Sequence, residues 1–395
     1  MNVLIVEPET KGHFLSLYVR KTIKAYKKDK IFLLTSKKIF NSKILTILKK
    51  DYPKLKILIC DELVYSKNKN SFYLFVVQFF NFIKIKKKIN NFDKKYDFNH
   101  IFFTNFDHFD KVICFFNNPF NSKCFSGILV NPRLHQFYKK NYNNFKYLIY
   151  KNFLNRLVKN EFLKKIFTND VLFYTFSKKY FLRKKINYFN EPVEFENPKK
   201  KILFSIPKNK TLKILVYGSI RFSKSLEELM FLIKKLDQEI KINVTIAGIH
   251  QKDVKKILSQ KNLIKNRLNN NIKIINKFIT PTEEMKLFIK TDIVWCVYKN
   301  TPHGSSGVFY LSNLYKKPVA TNKEGLIGWY NKKNKLGPIL DFSDNKKSLK
   351  SAKSILNLYN KKKIYTSYCK NQSKFNKIIT KQKKFHEIVR NIMIY

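Results

Sequence analysis

The chain opens on a short apolar run, Val3-Leu4-Ile5-Val6, between Asn2 and Glu7, too brief for a helix and continuous enough for a strand buried on both faces. Runs of the same kind recur at 31–35, 55–60, 100–104 and 127–131, and Val171–Phe176 reads as the closing strand of this half. Stretches with apolar residues three and four apart lie between most of them. Strand and helix alternating in this way predict a parallel sheet with helices on both faces. Ser71–Ile83 is apolar and runs into Lys84-Ile85-Lys86-Lys87-Lys88. It predicts a core helix with a basic end, the alternative being an interfacial helix whose lysines face anionic headgroups. Tyr142–Ile166 predicts one or two amphipathic helices.

The alternation breaks between Asn190 and Lys210, where Pro192, Pro198 and Pro207 sit among charges, as a linker would. A second series follows, with strands at 212–217, 242–247, 272–275 and 292–297 and helices at 226–236, 254–264 and 282–289. Thr301–Thr321 then gives a polar loop, a helix opening at Ser305-Ser306-Gly307, and a strand around Val319. Beyond Asp341 the pattern is helical and basic. The expected organisation is an α/β chain of two doubly wound, Rossmann-like domains, residues 1–190 and 211–370. Residues 191–210 would link them, and the 371–395 helix is taken to pack back on the first domain.

Composition narrows the partners. The formal net charge is +53, which alone suggests nucleic acid or an anionic membrane. Yet only seven of the 80 basic residues are Arg, the residue best shaped to fork a phosphate or a base edge. Lys, Asn, Ile, Phe and Tyr are raised together while Gly stands at 9 and Trp at 2, which reads as an A- and T-rich coding bias over the whole chain. The lysines therefore form a diffuse coat, and no specific nucleic-acid partner is expected. The five cysteines have no C-x-x-C spacing, so no zinc, redox or disulfide framework is predicted. With no signal-peptide pattern and no apolar run near the roughly 18 residues a membrane span needs, the expectation is a cytoplasmic protein. Peripheral contact with the inner membrane face is left open.

The chemistry is expected at strand exits. Tyr217-Gly218-Ser219-Ile220-Arg221-Phe222-Ser223-Lys224 places a glycine after a strand and two cations before a helix. After Gly304, Ser305-Ser306-Gly307 suit the opening of a second helix, and the N–H groups of such a helix start suit phosphate. Neither loop is a Walker A or a G-x-G-x-x-G, which disfavours a P-loop ATPase or an ordinary dehydrogenase. In the first half Gly12 and His13 follow the first strand, and Asn105, Asp107 and His108 follow the fourth. Gly12 would admit a ligand close to the backbone, His13 would touch the acceptor or leaving group, and Asp107 is the candidate base for an acceptor hydroxyl.

The blocks ILVYGSIRFSKSLEELM, VTIAG, DIVWCVYKN and HGSSGVFYLSNLYKKPVATNKEGLIGW, in that order, resemble the donor domain of GT-B glycosyltransferases, particularly retaining family 4. MNVLIVEPETKGHF resembles the acceptor domain more loosely, and NEPVEFENP the connection between the two. The resemblance implies two domains facing each other across a cleft, with sugar transferred from a nucleotide diphosphate sugar to a saccharide or lipid-linked acceptor and no further cofactor or metal. It also implies that Gly218, Arg221, Lys224 and Gly304–Gly307 hold the diphosphate, and that Glu324 and Gly325 lie near the sugar or nucleotide. Where the family carries E-x7-E, this chain has His303 and Leu311, and Ser225 replaces the glycine after the Lys. His303 then becomes the candidate for assisting the departing diphosphate. The alternatives are a basic protein binding anionic membrane or nucleic acid, and an inactive GT-B relative.

Overall fold

A computed structural model describes the chain apart from residues 10–13, 41, 66–70, 140–143, 182–184, 191–210, 237, 255–257, 259–270, 300–303, 382–384 and 394–395. The chain divides into two compact units, Met1–Glu194 with Lys383–Tyr395, and Phe195–Gln382. Most of the 254–264 helix and all of the 191–210 linker expected from sequence lie outside the described residues.

Unit 1 is built on seven strands: β1 (Asn2–Glu7), β2 (Lys30–Ser36), β3 (Lys56–Cys60), β4 (His100–Phe103), β5 (Cys124–Leu129), β6 (Leu163–Thr168) and β7 (Ile186–Tyr188). Their order is β3-β2-β1-β4-β5-β6-β7, every described pair parallel. Alternate residues of one strand serve opposite cores, which is why both faces demand apolar side chains. Leu4 and Val6 join a core with Phe32, Phe103 and Phe125, while Val3 and Ile5 join another with Leu33, Phe102 and Phe167. The helix Phe385–Met393 belongs to this second core, with the Phe385 ring centroid 4.6 Å from that of Phe189 and 6.2 Å from that of Phe167.

Two expectations fail in this unit. Val171–Phe176 is not a strand but the start of a helix, Val171–Tyr180, nucleated by Asp170, whose carboxylate accepts from the N–H groups of Leu172 (2.9 Å) and Phe173 (3.0 Å). The strand read into a helix is β6, whose Lys164 and Lys165 interrupt an otherwise buried run and hide it from periodicity. The closing strand is the three-residue β7, too short to signal itself in sequence.

Unit 2 carries six strands: β8 (Thr211–Tyr217), β9 (Lys241–Ala247), β10 (Asn271–Ile275), β11 (Ile293–Cys296), β12 (Val319–Asn322) and β13 (Ile339–Leu340). The order is β10-β9-β8-β11-β12-β13, again with every described pair parallel. Helix Leu226–Leu236 lays Leu229, Leu232, Ile233 and Leu236 on this sheet's core, joined by Ile355 and Leu358 of helix Asn345–Asn360 and by Tyr365 and Cys369 of helix Lys362–Lys381. Phe375 of that last helix meets the rings of Phe309 and Tyr330. The C-terminal region, expected to pack as one piece on the first domain, is thus shared: 362–381 packs in unit 2 and 385–393 in unit 1.

Candidate functional site

In unit 2 the strand order reverses between β8 and β11, whose carboxyl ends leave the sheet side by side. A crevice is left where consecutive connections depart to opposite sides, and ligands of open α/β sheets bind there. The two loops flagged from sequence follow these two strands. They are tied together: the Lys299 N–H donates to the Ser223 carbonyl (2.8 Å), and the Trp295 indole N–H to the Lys224 carbonyl (3.0 Å). Gly218, at φ +92°, lets the chain turn out of β8, and a Cβ there would already touch Val308 at 3.4 Å. The start of helix Gly307–Leu314 therefore abuts the exit of β8. Next door, Gly248 has φ +134° and no room for a Cβ, which would sit 1.8 Å from the Gly218 carbonyl oxygen.

The two cations of the first loop are not equivalent, although they were expected to act alike. Arg221 is exposed. Lys224 is buried, only 4% exposed, and its ammonium donates to the Tyr217 carbonyl (2.8 Å) and lies 5.3 Å from the centre of the Tyr298 ring. Among the described residues no carboxylate pairs with it. Burial pushes its pKa down to about 8, with Arg221 pushing the same way and Cys296 opposing. An ammonium has three donors, and one carbonyl and a ring face leave it short of both hydrogen bonds and counter-charge. An anion brought beside it would supply both.

Tyr298 joins the two loops and was not singled out from sequence. Its ring faces Lys224, its hydroxyl shares a 2.9 Å hydrogen bond with Ser306 Oγ, and its N–H donates to Asn322 Oδ1 (2.5 Å). Its only sequence signal was its position two residues past β11. Ser306, the residue before the helix, is buried and does not spend its hydroxyl capping that helix. Gly307 is exposed, with open space where a Cβ would stand. The helix start thus offers N–H groups to the crevice beside a buried cation. Gly304 and Ser305 are half-buried, preceding it. Glu324 is exposed at the N-cap of helix Gly325–Asn334, after β12, the strand next to β11. Leu311 is buried in the helix, and His303 lies outside the described residues.

Unit 1 has its own reversal, between β1 and β4. Gly12 and His13 lie outside the described residues. Asp107 is tied into the fold: its carboxylate accepts from the N–H of Val130 (2.7 Å) and of Asn131 (3.2 Å), and burial raises its pKa to about 6. A carboxylate anchoring the exit of β5 is a poor fit to a free base. Another carboxylate held above its ordinary range, passed over in reading the sequence, closes β1. Glu7, closing β1, is fully buried, accepts from Thr104 Oγ1 (2.6 Å) and the Glu9 N–H (2.9 Å), and is pushed up to about 7 by burial. Glu9 in turn meets His108 Nε2 at 3.1 Å. Burial opposes charge on His108, but the hydrogen bond and charge of Glu9 carry its pKa above the ordinary value. A carboxylate ending an otherwise apolar strand was the available signal. Asn105, also flagged, is buried with its Oδ1 unpartnered. Among the described residues no three His, Cys, Asp or Glu side chains cluster as a metal site would require.

No protein-family model and no curated protein matches the sequence. Solved structures do match. HepE from Anabaena, in complex with UDP-glucose, aligns with a TM-score of 0.64 at 13% identity, covering 100% of this chain and 98% of that one. Sucrose-phosphate synthase from Thermosynechococcus elongatus aligns at 0.68 and 10% identity, covering 100% and 97%. WaaG, a glycosyltransferase involved in lipopolysaccharide biosynthesis, aligns at 0.62 and 10% identity, covering 99% of each. Likeness over the whole length at such low identity shows a shared architecture: this chain has the GT-B fold, two parallel-sheet α/β domains.

Proposed function

We propose that the chain is a glycosyltransferase that takes a nucleotide diphosphate sugar as donor and passes the sugar to a saccharide or lipid-linked acceptor. The observation that carries the proposal is Lys224, a buried ammonium with no carboxylate partner among the described residues, at the crevice between β8 and β11, beside a helix start. A diphosphate supplies the missing counter-charge, and binding it in a water-poor pocket makes each contact worth more than on an open surface. In this reading Lys224 meets the diphosphate from below, the Gly304–Gly307 helix start meets it with N–H groups, and the exposed Arg221 closes over it. Glu324, at the N-cap of the helix after β12, is assigned a place near the sugar or the nucleotide. As the glycosidic bond to the diphosphate breaks, negative charge grows on the leaving oxygen, and these fixed donors stabilise it without reorganising. His303 is proposed to assist the same oxygen.

The fold likeness to HepE bound to UDP-glucose and to WaaG supports a nucleotide-sugar donor and a role in building polysaccharide or glycolipid. A hexosyl donor and retention at the anomeric carbon rest on the resemblance of the donor-half blocks to family 4. The proposal invokes no resident metal or organic cofactor. No helix among the described residues is long and apolar enough to cross a membrane, and a cytoplasmic setting, where nucleotide sugars are made, fits the scheme.

Thermal-shift measurements with UDP-, GDP- and other nucleotide sugars test the reading. One donor class is expected to raise the melting temperature and to be slowly hydrolysed, and the anomeric proton coupling of the product then reports retention. If no donor stabilises the protein and none is turned over, the proposal fails.

A further inference from the structure

The proposed site leaves the outer edge of unit 1 unexplained. β3 ends the seven-stranded sheet, and among the described residues no strand pairs with its far side. An edge strand presents a row of backbone N–H and C=O groups, which proteins commonly guard with a proline, a bulge or an outward lysine. β3 lacks all three. It holds no proline, and its register with β2 runs from Lys56 to Cys60 without a shift. Its one lysine is folded onto the face of the sheet, the Lys56 ammonium lying 5.6 Å from the centre of the Tyr96 ring and 5.9 Å from that of Phe32. The strand also shows apolar side chains to solvent. Ile59 is 36% exposed and Ile57 half-buried, both on the face opposite Leu58 and Cys60. Helix Lys43–Asp51 packs through Leu45 and Leu48 on the core that Ile57 adjoins, and it turns Ile44 and Ile47 outward. Charge is ordered along the edge. Lys54 and Lys56 stand at its start and Asp61 and Glu62 just past its end, all four exposed. In a chain with 27 acidic residues against 80 basic ones, two adjacent exposed carboxylates are a local exception. Glu62 makes only a loose contact with Lys38, at 3.7 Å on the open surface.

We infer that this edge pairs with the same edge of a second copy of the chain, the two β3 strands running antiparallel about a twofold axis through Leu58. A twofold contact brings what stands at one end of the strand against what stands at the other. An axis normal to the sheet keeps each face on its own side, so only residues pointing to the same face can stand opposite each other. With Leu58 on the axis, Ile57 of one copy lies opposite Ile59 of the other, and Lys54 of one opposite Glu62 of the other. Each pair occurs twice, an apolar match inside a charged one. A slip of two residues sets Glu62 against Tyr52 in one direction and Ile57 against Asp61 in the other. The edge is basic at one end and acidic at the other, so a uniformly acidic or basic partner would match half of it. The net charge of +53 on each copy opposes association at long range, and salt screens that repulsion while strand hydrogen bonds persist. This inference goes beyond the proposed transfer chemistry and does not depend on it.

The test is sedimentation velocity of the full chain from about 1 to about 100 μM, in about 0.3 M salt to screen the long-range repulsion. Wild type is expected to show a monomer–dimer equilibrium. Ile59→Lys, which places a charge inside the apolar match, should leave monomer alone with an unchanged melting temperature. Lys54→Glu and Glu62→Lys, each at an exposed position, should each weaken dimerisation about tenfold or more, because like charges then face each other twice. Mixing those two variants should restore a dimer, since each supplies the charge the other lacks. Carrying both substitutions in one chain should restore it too. A wild type that stays monomeric throughout, a dimer indifferent to Ile59→Lys, or charge variants that fail to rescue each other would each overturn the inference.

Discussion

Replacing Lys224 with Met separates what this side chain does for the fold from what it does for a ligand. The pKa of the buried ammonium is lowered from 10.5 to about 8, which corresponds to about 3 kcal/mol against the charged form. Methionine has similar length and no charge, so it relieves that burden. It also forfeits the charge-assisted bond to the Tyr217 carbonyl, worth about 1.5–3 kcal/mol. The balance is a stability gain of about 1 kcal/mol for the ligand-free protein, or roughly 2–4 °C in melting temperature for a unit of this size. The pH dependence has a fixed sign. Because the folded-state pKa is depressed, the burden is complete below about 8 and fades as pH climbs toward 10.5, so the wild type gains on the variant over that window. Ligand binding should behave oppositely. A donor at a hundred times its Kd stabilises the wild type by about 2.7 kcal/mol, whereas Lys224→Met should show almost no donor-induced shift and no turnover. Differential scanning fluorimetry with and without the donor, at pH 7 and again at a pH above the Lys224 pKa, reads both effects. A variant that is less stable without ligand yet keeps the full donor-induced shift would refute the assignment of Lys224 as an unpaired anion receptor.

Arg221→Ala, at an exposed position, should leave the melting temperature unchanged and weaken donor binding by about 1.5–3 kcal/mol, read by titration calorimetry. Tyr298→Phe keeps the ring over Lys224 and loses the bond to Ser306, so it should cost about 1 kcal/mol in urea unfolding and a smaller share of donor affinity. Glu7 has its folded-state pKa raised from 4.5 to about 7. Its ionisation therefore destabilises the fold progressively between those values, and Glu7→Gln should remove that acid-side slope from stability measured against pH. Donor affinity of the wild type should fall as pH rises through about 8, where Lys224 loses its proton, and calorimetry above that pH in buffers of different ionisation enthalpy should register proton uptake on binding.

The parallel architecture was legible because buried strands of a doubly wound sheet are almost pure apolar runs, as in Leu4–Val6 and Ile293–Cys296. It was misread where a strand carries charge to its edge. Lys164 and Lys165 gave β6 the look of helix, and the helix that follows looked like strand because Val171, Leu172 and Phe173 begin it. Only the side chain of Asp170, accepting two N–H groups, decides that case. The loops at the crevice were found from their glycines and cations, since Gly218 at positive φ is a position with few alternatives. Which cation is buried was not legible. Arg221 and Lys224 stand three apart, and it is the packing of Tyr298 and Trp295, more than seventy residues later, that places one inside. Asp107 drew attention as a candidate base because its backbone partners, Val130 and Asn131, are brought to it only by the fold.

The helix Phe385–Met393 gives this chain an awkward birth. Its Phe385 and Val389 complete a core whose other members come from residues 3–189, yet it leaves the ribosome only after the whole of unit 2 has been made. Until then unit 1 lacks the cover of one apolar face, while unit 2, continuous in sequence, is already complete. A nascent chain of this design should depend on chaperones at its amino-terminal half. A stop codon at residue 383 should then yield a protein whose later-made unit is sound and whose earlier-made unit is the one degraded.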